Sequence, residues 1–165
     1  MKNIILIGMP AAGKSTVGVV VAKRLGYEFV DTDLLIQKQE KRLLKEIIEQ
    51  EGNDGFLAIE NQVNRDLEVD QAVISPGGSV VYCEEAMQHF KNIGVIVYLH
   101  VSYEDIYQRI TNAKNRGVIL KEGQTLKTLY DERVELFEKY ADYTVSEQGL
   151  GLEETIDKVL ELFEK

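Results

Sequence analysis

Gly8-Met9-Pro10-Ala11-Ala12-Gly13-Lys14-Ser15 fits the pattern G-x-x-x-x-G-K-[ST], and the rest of the chain is organised around it. An apolar run at residues 4–7 leads into the octapeptide, and a helix-like stripe of Val17, Val20, Val21 and Leu25 follows it. That strand–loop–helix context is what the pattern requires. Backbone N–H groups of such a loop converge on an anion, and the next helix turns its positive end to the same point. Gly8, Met9, Pro10, Ala11, Ala12, Gly13, Lys14, Ser15 and Thr16 are therefore expected to cradle a nucleoside triphosphate. Lys14 would reach the outer phosphates, and the Ser15 hydroxyl would ligate Mg²⁺.

The size and charge of the chain bound its partners. At 165 residues, 44% hydrophobic and 28% charged, it is expected to form one ordinary globular domain spanning 1–165. A formal net charge of −9 argues against nucleic acid or an anionic membrane as partner, since both want a basic face. Cys83 is the only cysteine, so no intrachain disulfide is possible, and a cytoplasmic location is expected. No apolar run approaches the length of a membrane span, and no linker or internal repeat is visible. A monomer is the simplest expectation.

Strand-like runs recur at residues 4–7, 27–30, 72–74, 95–99 and 143–145, with helical patterns between them. Strands alternating with helices give a parallel sheet covered on both faces, an α/β architecture. Ligands of such sheets gather at the carboxyl ends of the strands. Ser102 with Asp105 reads as a capping box opening the helix after the fourth strand.

Several residues stand out for chemistry. Asp31-Thr32-Asp33 closes the second strand, and in extended chain positions i and i+2 point the same way. One carboxylate, Asp31, would orient Mg²⁺ through water, and Asp33 would accept or position a hydroxyl proton; a helix cap with a solvent-facing acid is the other reading. Gly77 and Gly78, with Ser79 behind them, close the third strand and permit a ligand to approach bare backbone, or form a plain turn. Glu60 falls on the apolar stripe of Phe56, Ile59, Val63 and Leu67, in a helix expected over 54–67. Arg133 falls on that of Leu126, Leu129, Phe137 and Tyr140, in a helix expected over 125–140. Inward charges are costly unless paired or bound to a ligand, so each is a site residue, one half of a structural ion pair, or a snorkelling side chain. Residues 112–123, carrying Lys114, Asn115, Arg116 and Gly117, read as a polar lid or a solvated loop, with Arg109 just ahead of them. His89 and His100 have no metal-ligand spacing.

The ordered set of the phosphate loop, Asp31-Thr32-Asp33, Gly77-Gly78, Arg109 followed by Arg116, and Arg133 with Ala141-Asp142 resembles the shikimate kinase family. The resemblance runs over nearly the whole chain. It implies a three-layer P-loop kinase fold: a five-stranded parallel sheet of order 2-3-1-4-5, helices on both faces, a substrate-binding helical part at about 33–67 and a lid. It further implies transfer of the ATP γ-phosphate, with Mg²⁺, to the 3-hydroxyl of shikimate. Asp33 would contact the acceptor hydroxyls, Arg133 and the Gly78 backbone would hold the acceptor, Lys14 and Arg116 would stabilise the transferring phosphoryl, and Arg109 would lie along the adenine.

The chain departs from the family at Leu57, where an arginine is expected in Phe56-Leu57-Ala58-Ile59-Glu60, and at Ser79, Ala11 and Gly117. Leu57 and Ser79 leave two alternatives open: a kinase for another hydroxylated, carboxylated or uncharged metabolite, and an ATP-binding sensor without catalysis. A switch GTPase is disfavoured, because neither N-K-x-D nor D-x-x-G occurs.

Overall fold

A computed structural model describes residues 2–112 and 123–164. Five strands, β1 (Asn3–Ile7), β2 (Glu28–Asp31), β3 (Ala72–Ser75), β4 (Gly94–His100) and β5 (Tyr143–Ser146), form one sheet in the order β2-β3-β1-β4-β5. All four pairings are parallel. The five expected runs, the sheet and its order are all found. Helices α1 (Lys14–Leu25), α2 (Thr32–Glu40), α3 (Leu44–Arg65), α4 (Glu84–Ile93), α5 (Tyr103–Asn112), α6 (Leu126–Tyr140) and α7 (Leu152–Glu161) cover it.

The apolar runs are continuous because β1 and β4 are buried on both faces. Successive side chains alternate between two cores. Ile5 and Ile7 join Ile74, Ile96, Tyr98 and Phe137 on one side. Ile4 and Leu6 join Val17, Val73, Val97, Ile156 and Val159 on the other. Asn3, buried at the amino edge, donates to Val69 and Ile93 carbonyls and accepts from Ala72 N, tying β1 to the connections around it.

A smaller core of Ile36, Ile47, Phe56 and Val63 holds α2 against α3. Here the structure corrects the helix expected at 54–67: α3 starts ten residues earlier, bends at Gly52 (φ 75°, ψ 178°) and ends at Arg65, so Leu67 lies beyond it. A positive φ is cheap only for glycine, and at Gly52 it interrupts the helical backbone, so α3 is two helical segments joined at a kink. The helical part expected at 33–67 is thus α2 with α3.

The cap at Ser102 is present, its Oγ accepting from Asp105 N at 3.2 Å. His89 Nε2 meets Leu67 O at 2.7 Å, and buried Cys83 contacts the Leu57 carbonyl; both are structural. Among the described residues no helix is long and apolar enough to cross a membrane.

Candidate active site

The parallel register sets the site. Asp31 pairs with Ser75 at the carboxyl ends of β2 and β3, so the turn after each strand opens on the same edge as the loop after β1. A cleft of about 1160 Å³ there is lined by Lys14, Ser15, Thr16, Asp31, Asp33, Phe56, Glu60, Gly77, Gly78, Ser79 and Arg133, with Pro10, Ala11 and Gly13 at its loop edge. Residues from five separate stretches of sequence therefore face one space.

The phosphate loop is bound together by its own groups. Lys14, 8% exposed, donates from Nζ to Gly8 O and Met9 O, each at 2.9 Å. Ala12 N donates to Met9 O at 3.1 Å, so that amide is used inside the loop and is not left for an anion. The Met9 side chain is buried in the core, and only its backbone belongs to the loop. Ala11 adopts φ 72°, and its carbonyl accepts from Arg109 Nη1 at 3.0 Å.

The pair Asp31 and Asp33 is corrected in its geometry. The strand stops at Asp31 and α2 begins at once at Thr32, so the two are not alternate residues of extended chain. Asp31 is the N-cap, its Oδ1 accepting from Asp33 N at 2.9 Å and from Leu34 N at 3.4 Å. Asp33 stands in the first helical turn. Both still line the cleft.

Burial pushes the Asp33 carboxyl up to about 6, with the Asp31 charge adding to the rise and Lys14 opposing it. Burial likewise pushes Glu60, wholly buried, up to about 7; the hydrogen bond from Ser79 pulls down, the Asp33 charge pushes up, and Arg133 and Lys14 pull down. Ser79 Oγ donates to Glu60 Oε1 at 2.7 Å, while Glu60 Oε2 has no hydrogen-bond partner among the described residues. Gly77 separates the two acids: a Cβ there would lie 2.9 Å from Asp33 Oδ1 and 3.0 Å from Glu60 Oε2. At Gly78 a Cβ would meet Pro10 Cδ at 2.7 Å, so the two loops touch backbone to ring. Arg133, 2% exposed, lies with its guanidinium carbon 5.4 Å from the Tyr82 ring centre, and its Nε is buried without a hydrogen-bond partner among the described residues.

Glu60 and Arg133 are thus brought to the cleft, as their places on apolar stripes suggested. Leu57 is half-buried and packs on the core beside a neighbouring cavity that also touches Ser79 and Arg133. Arg65 is drawn away to Asp66 and Glu85 on the surface. Arg116, with Lys114, Asn115 and Gly117, lies outside the described residues. Glu147 was not anticipated: it follows β5, its Oε1 is 3.8 Å from Arg109 Nη1, and burial raises its carboxyl. Its place at the carboxyl end of a strand was the signal that pointed to it.

The donor set suits a hard cation of the Mg²⁺ kind. The Ser15 hydroxyl and the Asp31 carboxylate offer oxygen donors on one cleft and would be its ligands, and among the described residues no cluster of three acidic, histidine or cysteine side chains competes with them. Mg²⁺ keeps several waters and takes phosphate oxygens, so two protein oxygens are enough.

Comparison with known proteins agrees with this geometry. The shikimate kinase family model matches residues 10–164. A shikimate kinase of Thermodesulfovibrio yellowstonii is 36% identical over 168 residues, 100% of this chain and 96% of that one. Another from Clostridium botulinum strain Okra is 34% identical over 169 residues, 100% of this chain and 98% of that one. The solved shikimate kinase from Acinetobacter baumannii in complex with shikimate matches with a TM-score of 0.89 at 32% identity, covering 98% of this chain and 92% of that one. With the phosphate loop, the sheet order and the acid–arginine cleft in place, the chain belongs to the shikimate kinase family.

Proposed function

We propose that the protein transfers the γ-phosphoryl group of Mg²⁺-bound ATP to the 3-hydroxyl of shikimate. The observation that carries this reading is the meeting of Lys14, Asp33, Glu60 and Arg133 on one cleft beside the phosphate loop. The phosphate loop would hold an anionic donor at one end, and Arg133 offers a cation for an acceptor carboxylate at the other.

The chemistry asks for position and charge neutralisation more than for covalent work. The acceptor oxygen attacks the γ-phosphorus, its bond to the β–γ bridging oxygen breaks, and ADP leaves. The hydroxyl proton passes to Asp33. A carboxylate near 6 is mostly ionised at neutral pH yet basic enough to take that proton. Lys14 exchanges the Gly8 and Met9 carbonyls for phosphate oxygens, and Gly13, Ser15 and Thr16 offer amides at the start of α1. Ser15 and Asp31 would hold Mg²⁺, which neutralises charge on the triphosphate when bound. Arg109, already over the Ala11 carbonyl, would lie along the adenine, and Arg116 would stabilise the transferring phosphoryl. Arg133 holds the acceptor carboxylate and the Gly78 backbone its ring.

Leu57 supplies no second cation, so the acceptor carboxylate loses one arm of its grip, a loss of about 1.5–3 kcal/mol. That favours a high shikimate KM, and it keeps a related uncharged acceptor in view. The test is ADP release with shikimate, quinate, gluconate and no acceptor. Shikimate-dependent release that disappears in Lys14→Met and Asp33→Asn is expected; a folded protein that releases no ADP with shikimate overturns the reading.

A further inference from the structure

Glu147 stands at the carboxyl edge of the sheet and has no part in the transfer chemistry. It is the first residue after β5, and its backbone N–H extends the strand pairing by donating to His100 O at 2.9 Å. Its carbonyl closes the next turn, accepting from Leu150 N at 2.9 Å. The side chain serves neither contact. It is 11% exposed, it does not cap α7, and among the described residues its Oε2 is buried without a hydrogen-bond partner.

Such a group is a poor device for stability. A carboxylate taken out of water keeps much of its desolvation cost when one oxygen is unpaired and the other meets a cation only at 3.8 Å. What it does govern is Arg109. The same Nη1 that faces Glu147 Oε1 donates to Ala11 O at 3.0 Å, so one nitrogen is shared between the loop after β5 and the phosphate loop. Both contacts fall at one end of the guanidinium. The Arg109 side chain is 42% exposed, so its flat face can still take a stacking partner.

We infer that Glu147 is a positioning residue for the base of the nucleotide: it holds the Arg109 guanidinium beside the phosphate loop before the nucleotide arrives. A cation already in place loses less freedom when a base stacks on it. The inference rests on the reading of Arg109 as the side chain along the adenine. Glu147 acts through Arg109 and touches neither base nor phosphate. Its negative charge by itself repels a triphosphate, while its hold on Arg109 favours the base. The two parts of the nucleotide therefore respond differently to its removal.

Calorimetry on the full chain with Mg²⁺ compares ATP with tripolyphosphate, which keeps the phosphates and lacks the base. The parent is expected to prefer ATP. Glu147→Gln keeps the shape and removes the charge; it is expected to reduce that preference by about fivefold, the worth of one long side chain left to be ordered on binding. In turnover it should raise the KM for ATP and leave kcat unchanged. With Arg109→Met as the background, the glutamine change should no longer alter the preference. Both variants are expected to fold, since one removes a costly buried charge and the other lies on a half-exposed side chain. A parent that binds ATP no more tightly than tripolyphosphate overturns the reading of Arg109 and this inference with it. A parent that prefers ATP, with the preference unchanged in Glu147→Gln, overturns the inference alone. So does an equal effect in both backgrounds, or a loss of kcat with KM unchanged.

Discussion

Ser79 Oγ and Glu60 Oε1 lie 2.7 Å apart, a hydrogen bond from the end of the β3 turn to a carboxylate that solvent does not reach. Among the described residues it is the side-chain hydrogen bond that Glu60 receives, since Oε2 on the same group has none there. A buried carboxylate stripped of its donor keeps its full desolvation cost.

Ser79→Ala is therefore expected to destabilise the fold by about 1–3 kcal/mol at neutral pH, read as a lower urea midpoint. Ser79→Thr keeps the hydroxyl and should restore most of the loss. A change below about 0.5 kcal/mol in the alanine variant would show that Glu60 is satisfied by some other group.

Glu60 also sets a pH dependence whose sign is fixed by burial. The unfolded chain ionises this group at its ordinary value of 4.5, the folded chain at about 7. Between those two values the unfolded state holds fewer protons, so stability falls as pH rises. The slope from this one group is at most about 1.4 kcal/mol per pH unit, and the penalty is complete above the folded value. Glu60→Gln removes it. Urea unfolding from pH 5 to 8 should show the glutamine variant gaining on the parent across that window; parallel curves would contradict the assignment.

Much of this was legible before any coordinates. The inner strands β1, β3 and β4 announce themselves because parallel strands buried on both faces read as unbroken apolar runs, the edge strands β2 and β5 do so more weakly, and Glu60 and Arg133 announce themselves as charges on apolar stripes. What stayed hidden depends on where chains stop and meet. An aspartate after a strand is equally good as a metal-facing acid or a helix cap, and only the immediate start of α2 at Thr32 makes Asp31 the cap. Glu60 and Ser79 are 19 residues apart, and nothing local signals their bond. The helical stretch ahead of Gly52 was missed because the expected helix began at Asp54, after the glycine, where the apolar stripe of Phe56, Ile59 and Val63 starts. The order of the strands came from resemblance alone, because hydropathy does not encode neighbours.

Ala11 occupies the left-handed region at φ 72°, inside the loop that grips phosphate. An L-residue with a Cβ costs about 1–2 kcal/mol there. Glycine removes that cost but gains about 0.4–1 kcal/mol of freedom in the unfolded chain. Ala11→Gly should thus stabilise the protein by roughly 0.5 kcal/mol, the difference between the two. Ala11→Val should go the other way, since a β-branched side chain is least tolerant of positive φ. Thermal unfolding in the absence of nucleotide checks both, and a glycine variant less stable than the parent would contradict the strain argument.

Gly77 is where a single methyl group tests the site without touching its chemistry. Its backbone is not in the left-handed region, so alanine meets no conformational barrier. The obstacle is space: the new Cβ would stand 2.9 Å from Asp33 Oδ1 and 3.0 Å from Glu60 Oε2. Two carboxylates, one on α2 and one on α3, must each retreat by several tenths of an ångström. Both are side-chain ends, so the fold can absorb the shift at modest cost, while the Asp33 oxygen proposed to take the proton would be carried off its line to the acceptor hydroxyl. Misplacement of a reacting group on the scale of an ångström costs about 10²-fold in rate. Gly77→Ala should fold with an unfolding midpoint near that of the parent and lose kcat by roughly that factor, with the KM for ATP little changed. If kcat survived and only stability fell, Asp33 would not be the group that takes the proton.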